Sequence, residues 1–310
     1  MHAILGAGGT ISHDLEKVLS ANSIPFRSVS RSGKSSPGAV GFAADISTAE
    51  GALRAVDGCE VAYLVVGLPY KLSVWQQHWV PLAGNVIDAC ARTGTRLIFL
   101  DNIYMLADDE MPHMTEDSAI APSSRKGKVR ADVNHLLLDA FASGKVQGII
   151  ARAADFYGFT QPFKSLLLDL VIRRMAEGKR PQWMYTTEKK HAFTYIPDIA
   201  RALFAMSQRP DAFNRIWNLP TAPAITLNEF IAIINRQLGM DRKHMILGEA
   251  LLTVLRLMVP AIQEMKELKY QMVQDYVFDS SAFEAFFAMK PTPYETGLAE
   301  VLGQLRAEPR

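Results

Sequence analysis

The stretch Gly6-Ala7-Gly8-Gly9-Thr10-Ile11-Ser12 stands between a short apolar run, Ala3-Ile4-Leu5, and apolar residues at helical spacing, Ile11, Leu15, Val18 and Leu19. A glycine-rich turn between a strand and a helix lets the backbone approach a dinucleotide pyrophosphate closely. The helix start adds unpaired N–H groups and the positive end of the helix dipole. Two registers compete: Gly6-x-Gly8-x-x-Ile11, and Gly6-x-x-Gly9-x-x-Ser12 with a small residue last. In either, Gly6, Gly8, Gly9, Thr10 and Ile11 are the expected cofactor contacts. A tight turn would need glycines too, but the loop's place at the head of a strand–helix series favours nucleotide binding.

Outward from this loop the chain alternates two periods. Pro25 to Ser30, Gly38 to Ala44, Val61 to Val66, Arg96 to Leu100 and Val146 to Ala151 read as strands. The β-forming run at 61–66 has the continuous apolar character of a strand buried on both faces. Trp75, Trp79, Leu82, Val86 and Cys90 mark one long amphipathic helix, and Val129, Val133, Leu136, Leu137 and Ala140 another. This rhythm implies an α/β fold, a Rossmann-like doubly wound parallel sheet whose strand carboxyl ends share one ligand-binding edge. Residues 1–158 form the expected dinucleotide-binding domain, and 159–310 a smaller, mostly helical substrate region. Helices are expected over Phe163–Glu177, Asp198–Ser207, Leu227–Leu238 and the Met-rich stretch from Met240 to Met272. Short strands are expected at Phe193–Ile196, Arg215–Leu219 and Tyr276–Phe278, with segments near 193–206 and 215–219 returning to the main sheet.

Composition narrows the function. Among 310 residues, 33 Lys plus Arg nearly cancel 32 Asp plus Glu, so no global field argues for nucleic acid or a membrane surface. Two cysteines, Cys59 and Cys90, do not make a disulfide framework, and a reducing cytoplasm fits them. The seven His show no metal-ligand spacing, so no metal is expected. The N-terminus lacks the charged and apolar regions of a signal peptide, and Leu251–Ile262 is too short to span a bilayer.

The second strand ends at Val29-Ser30-Arg31, where NAD enzymes usually place a carboxylate for the ribose hydroxyls. A cation there suits a 2′-phosphate, so NADP is expected before NAD. Asp45-Ile46 follows the third strand, where it could flank the adenine; Asp45 could equally cap the helix starting at Thr48. Val66-Gly67, at the end of the fourth strand, reaches the same edge.

Beside the glycine loop, "DFYGF" (155–159), "HAFTYIPDIARAL" (191–203) and "WNLP" (217–220) resemble motifs of the extended short-chain dehydrogenase/reductases, the NAD-dependent epimerase/dehydratase-like group. The resemblance covers nearly the whole chain. It implies catalysis by a Ser or Thr at the end of the fifth strand and a Tyr-x-x-x-Lys at the start of the next helix. The Tyr exchanges a proton, the Lys lowers its pKa and holds the ribose, and the nicotinamide exchanges a hydride. Here Asp101-Asn102 follows the fifth strand, which puts Asn102 at the Ser/Thr position with an amide that can still donate. In "SSRKGKVRAD" (123–132), Lys128 matches the family's Lys, and Ser124 stands four residues before it, where the Tyr belongs.

A serine hydroxyl is far less acidic than a phenol, and one lysine does not close that gap. Three readings stay open. An atypical reductase or epimerase-like enzyme would relocate its acid/base to Tyr104, Tyr157, Lys128 or Asp101; each has an ordinary packing, capping or solvated alternative. A sensor would bind NADP without turnover, and a scaffold would bind no cofactor. On the substrate side, Arg173-Arg174 and Lys179-Arg180 supply cations, Trp183-Met184-Tyr185 an apolar wall, and Met258, Met265 and Met272 an adaptable lid or simply core. The expected partner is a small molecule, and the helices of Trp75/Trp79 and Val133/Leu137 could also pair across a homodimer. Asp198 reads as the cap of a helix beginning at Ile199.

Overall fold

A computed structural model describes residues 1–35, 39–160 and 164–308. The strands and helices run β1 (His2–Leu5), α1 (Thr10–Ala21), β2 (Phe26–Ser30), β3 (Gly41–Ala43), α2 (Ala49–Val56), β4 (Val61–Leu64), α3 (Leu72–Thr93), β5 (Arg96–Asp101), α4 (Arg125–Ala142) and β6 (Gly148–Arg152). Next come β7 (Asp155–Tyr157), α5 (Arg173–Ala176), β8 (Gln182–Met184), β9 (Lys190–His191), β10 (Phe193–Tyr195), α6 (Ile196–Ser207) and β11 (Arg215–Asn218). The chain closes with β12 (Ile225–Thr226), α7 (Leu227–Leu238), β13 (Met245–Leu247), α8 (Glu249–Met258), α9 (Pro260–Met265), α10 (Tyr270–Val273), α11 (Ser281–Phe287) and α12 (Tyr294–Ala307).

Seven parallel strands make the main sheet in the order β11-β6-β5-β4-β1-β2-β3. The order reverses between β1 and β4, so the glycine loop opens at the switch point where doubly wound sheets bind ligands. β1 and β4 are buried at all four positions, as strands covered by helices on both faces must be. One face packs Leu5, Leu64 and Phe99 against α3 and α4. The other packs Ile4, Tyr63 and Ile98 against α1 and α6. Trp75, Trp79, Val133 and Leu137 all belong to the first of these cores, which accounts for them without a partner subunit; Gln77, His78, Lys128, Asp132, His135 and Asp139 face outward.

A separate core carries the C-terminal region: Tyr157, Phe193, Phe230 and Tyr294 pack ring against ring with Leu168, Ile234 and Leu298. Tyr157 is fully buried there, so it is a packing residue and does not reach the sheet's edge. Of the segments expected to rejoin the sheet, β11 pairs with β6, whereas β10 pairs with β7 in a two-stranded sheet of its own. α11 also returns, stacking Phe283, Phe286 and Phe287 around Trp217.

Several boundaries differ from the sequence expectation. Gly38 and Phe163 lie outside the described residues, so the third strand is seen only at Gly41–Ala43. The helix ending at Ala176 contains a π-helical turn over Leu168–Ile172. Tyr276 and Phe278 make single bridges to His191 and Met114 rather than a strand. The Met-rich stretch is not one helix: Met245–Leu247 pairs with β8, and the chain breaks between α8 and α9 at Val259, held extended at φ −123° before Pro260. α2 is capped by Thr48, whose hydroxyl accepts from Gly51 N–H, and not by Asp45. α6 starts at Ile196, so Asp198 sits inside its first turn and accepts from Thr292 instead of capping. No helix of the described residues is long and apolar enough to cross a membrane.

Candidate active site

The glycine loop folds against the end of β4. Gly6 has φ +121°, and a Cβ there would lie 2.7 Å from Val66 Cα and N, so only glycine fits. Gly8 also has a positive φ, +81°. Gly9 is the N-cap of α1, its N–H donating to Gly6 O (3.2 Å), and the Ser12 hydroxyl donates to Gly9 O (2.8 Å). Ser12 is fully buried, so the geometry follows the register in which glycines 6 and 9 are succeeded by a small residue at the helix–sheet contact. Thr10 Oγ1 lies 2.6 Å from Thr160 Oγ1, which ties the loop to the segment after β7. Ile11 points into the core beside Ile4 and Leu15.

Around this loop, Val66 is half-buried and Gly67 exposed. Arg31 and Asp45 are both exposed at the ends of β2 and β3, and Ile46 is buried. Hydrogen bonds from the Ser47 hydroxyl and N–H, reinforced by the nearby Arg31 charge, hold the Asp45 carboxyl below its usual range. Arg31, Asp45 and Ile46 line the edge on the β2–β3 side of the switch point, and Val66 and Gly67 follow β4 across it.

On the other side, β5 ends at Asp101, which is buried and ion-paired to Arg130. Arg130 Nε donates to Asp101 Oδ1 (2.8 Å), and Asn134 Nδ2 to Oδ2 (2.5 Å). The Arg130 guanidinium lies 4.3 Å from the Trp79 ring centroid and 4.9 Å from that of Phe99. Asp101 also stands in register with Arg152 of β6, a fully buried guanidinium that donates to Glu116 O (3.3 Å). Asp101 is thus committed to two cations and is not placed as a free base.

Residues 126, 130 and 134 share one face of α4 because four residues complete about one turn. That face meets the end of β5 and the strap after α8. Lys126, 1% exposed, donates to Glu264 Oε2 (2.5 Å), Glu264 O (2.9 Å) and Glu267 Oε1 (3.1 Å). Burial acts to raise the Glu264 pKa, but bonds from Lys126 and from Leu72 N–H outweigh it and hold the carboxyl below its usual range. Lys126 Nζ also stands 4.8 Å from the centroid of the Tyr70 ring.

The four residues proposed from sequence for catalysis occupy different surroundings. Ser124 is the N-cap of α4, its hydroxyl accepting from Gly127 N–H at 3.0 Å. Lys128 is exposed on the opposite side of the helix, beside Gln76, Val80 and Asp132. Half a helical turn separates it from the face of Lys126, so it does not share the strand-end site. Asn102 Oδ1 accepts from Tyr104 N–H (3.0 Å). The Tyr104 ring stacks on Trp75, centroids 6.1 Å apart, and its hydroxyl pairs with that of Tyr70. Burial pushes Tyr104 well above the ordinary phenol range, with the charge of Asp155 adding to the effect. Asp155 itself accepts from His191 Nε2 (3.1 Å), and the His191 ring lies flat on Tyr276 with centroids 4.1 Å apart.

Tyr70, Glu264 and Glu267 were not singled out by sequence, and Lys126 and Arg130 only as members of the basic run 123–132. The signal for Lys126 and Arg130 was present: a Lys two residues after a capping serine and an Arg four residues beyond it. The cation pairs of the expected substrate region, which could equally be solvated helix ends, are engaged within the chain. Arg173 pairs with Glu308 and Lys179 with Glu177, while Arg174 and Arg180 donate to backbone carbonyls. Trp183 and Met184 are core residues.

The sequence model of the NAD dependent epimerase/dehydratase family matches residues 3–219. No curated protein matches the chain by sequence. Solved structures share its fold. UDP-N-acetylglucosamine 4-epimerase from Bacillus cereus has a TM-score of 0.80 at 15% identity, covering 100% of this chain and 97% of its own. MoeE5, in complex with UDP-glucose and NAD, has a TM-score of 0.76 at 17% identity, covering 98% of each chain. DesIV, a dTDP-glucose 4,6-dehydratase from Streptomyces venezuelae solved as a double mutant with NAD bound, has a TM-score of 0.76 at 15% identity, covering 99% of this chain and 97% of its own.

Replacing Asp101 by Ala strands the Arg130 charge in the core. Breaking a buried pair from one side costs about 3–5 kcal/mol. Asp101→Ala should lower the unfolding free energy measured in urea by an amount in that range; a loss under about 1 kcal/mol, typical of a surface pair, would show that this ion pair does not anchor α4 to β5.

Proposed function

The chain belongs to the NAD dependent epimerase/dehydratase family, and from that premise we propose an enzyme that uses a nicotinamide dinucleotide at a hydroxyl- or carbonyl-bearing carbon of a small molecule. In this reading Lys126 occupies the place of the usual tyrosine and Arg130 that of the usual lysine. The observation that carries it is their shared, buried face on α4, one turn apart and against the end of β5.

The residues present fit a dinucleotide. Gly6 admits no side chain, Gly9 opens α1, and the first turn of that helix supplies N–H groups for a pyrophosphate. Arg31, free of a carboxylate at hydrogen-bond distance among the contacts described, suits a 2′-phosphate and favours NADP; MoeE5 and DesIV hold NAD, so this preference rests on Arg31 alone. When bound, the nicotinamide supplies reversible hydride exchange. In this reading one Lys126 N–H donor, held by the Glu264 carbonyl before any ligand arrives, turns to the substrate oxygen. Tyr104, with its phenol pKa raised by burial, serves as a hydrogen-bond donor rather than a base. The Asn102 amide nitrogen offers a second donor, since its carbonyl oxygen is taken by Tyr104 N–H. Ser124 shapes the first turn of α4 and leaves the chemistry to Lys126. The sugar nucleotides named with the structural neighbours support a sugar-bearing substrate.

A second reading, a dinucleotide-binding sensor without turnover, is favoured by one observation: Lys126 and Arg130 are both held by carboxylates of this chain.

Three measurements test these roles. Gly6→Ala should abolish NADPH binding in calorimetry while circular dichroism stays unchanged; retained affinity would remove the loop from the cofactor site. Losing one charged hydrogen bond costs roughly tenfold in affinity, so Arg31→Ala should weaken NADPH about that much and spare NADH; equal losses for both would refute a 2′-phosphate contact. In a screen of sugar and sugar-nucleotide alcohols and ketones, Lys126→Met should lower kcat by about a hundredfold or more with NADPH affinity intact. NADPH binding without turnover on any compound would favour the sensor.

A further inference from the structure

The strap after α8 reaches back across the sheet's edge with two carboxylates. Glu264 lies on α9 and Glu267 on the 3₁₀ turn Lys266–Leu268 that follows. Each is seated on the first turn of a long helix. Glu264 Oε2 accepts from Leu72 N–H (3.0 Å) at the start of the 22-residue α3. Glu267 accepts from Arg125 N–H (2.8 Å) and Lys126 N–H (3.3 Å) at the start of the 18-residue α4. Carboxylates are favoured at the positive ends of helices, where N–H groups lack helical partners. Both carboxylates then turn to the same ammonium, and with Glu264 O they take the three donors of Lys126.

A side chain with four rotatable bonds is a poor place to mount a reacting group, because its freedom must be lost before it can act. Here the loss is imposed before any ligand arrives: the carboxylates are fixed by two helices, and they fix the ammonium beside the Tyr70 ring, whose hydroxyl continues to Tyr104. A single surface glutamate would hold the lysine weakly; two anchored ones and a carbonyl hold it in one position.

We propose that Glu264 and Glu267 are positioning residues for Lys126, delivered by the C-terminal region to the strand end of the dinucleotide domain. The inference rests on the reading that Lys126 faces the reacting carbon, and its test separates the two. The first measurement needs no substrate. Full-length protein is pulsed with acetic anhydride, and acetylation of Lys126 is followed by peptide mass spectrometry with exposed Lys128 as internal reference. Glu264→Gln and Glu267→Gln should each raise the Lys126 rate relative to Lys128 at least tenfold, and Glu264→Asp by less. Unchanged protection in both Gln variants overturns the positioning role. The second measurement uses the substrate found by the screen: each Gln variant should lower kcat at least tenfold while KM for NADPH stays within twofold. If Lys126→Met abolishes turnover and the Gln variants match wild type, this inference fails and the Lys126 assignment stands. If Lys126→Met turns over normally, the Lys126 assignment itself fails, and the inference with it.

Discussion

Burial of the Asp101 carboxylate at the end of β5 commits the residues around it. An uncompensated carboxylate in the interior would cost several kcal/mol, so cations must come to it. Arg130 comes from α4, Asn134 adds a donor one turn on, and Arg152 stands in register on β6. Because Arg130 must point at Asp101, the rotation of α4 about its own axis is set. That rotation turns Lys126 inward against Glu264, Glu267 and Tyr70, turns Lys128 out to solvent, and leaves Ser124 at the helix cap. The aromatic rings of Trp79 and Phe99 close around the guanidinium and keep water from the pair.

The same edge shows how one chemical demand is met from several directions. Helix N-termini need acceptors. α1 presents its N-terminus beneath the glycine loop, where an anionic phosphate fits. α3 and α4 present theirs on the other side of the switch point, where the chain's own Glu264 and Glu267 sit. Two of these helix ends thus clamp the C-terminal region to the parallel sheet and its helices. The clamp places the strap, Tyr70 and Tyr104 around Lys126.

Much of the fold was legible because its signals are local. The strand that precedes the glycine loop, the apolar run at 61–64 and the helical stripes of α3 and α4 stand within a few residues of their expected positions. Misread elements were those with weak periodicity: β13 inside an apolar, Met-rich stretch, and the β7–β10 pair that sits apart from the main sheet. In the site, the absence of a tyrosine four residues before Lys128 was legible, but which way each cation of the run faces was not. Counting back four residues from Lys128 gave Ser124, while counting back from Arg130 gives Lys126, and the residue types alone do not separate the two registers. Two positions on a helix are about 200° of rotation, the difference between a buried ammonium and a solvated one.

The amino-acid sequence by itself determined the parallel α/β architecture and the glycine loop at the head of the first helix. These follow from hydrophobic period and from residue type, which are properties of short segments. Only the tertiary structure decided that Asp101 is held by Arg130, that Lys126 is buried, and that Glu264 and Glu267 meet it. Those contacts span 29 to 141 residues. They exist because burying a charge forces a partner to be brought from wherever the fold can supply one, and no local pattern records where that is.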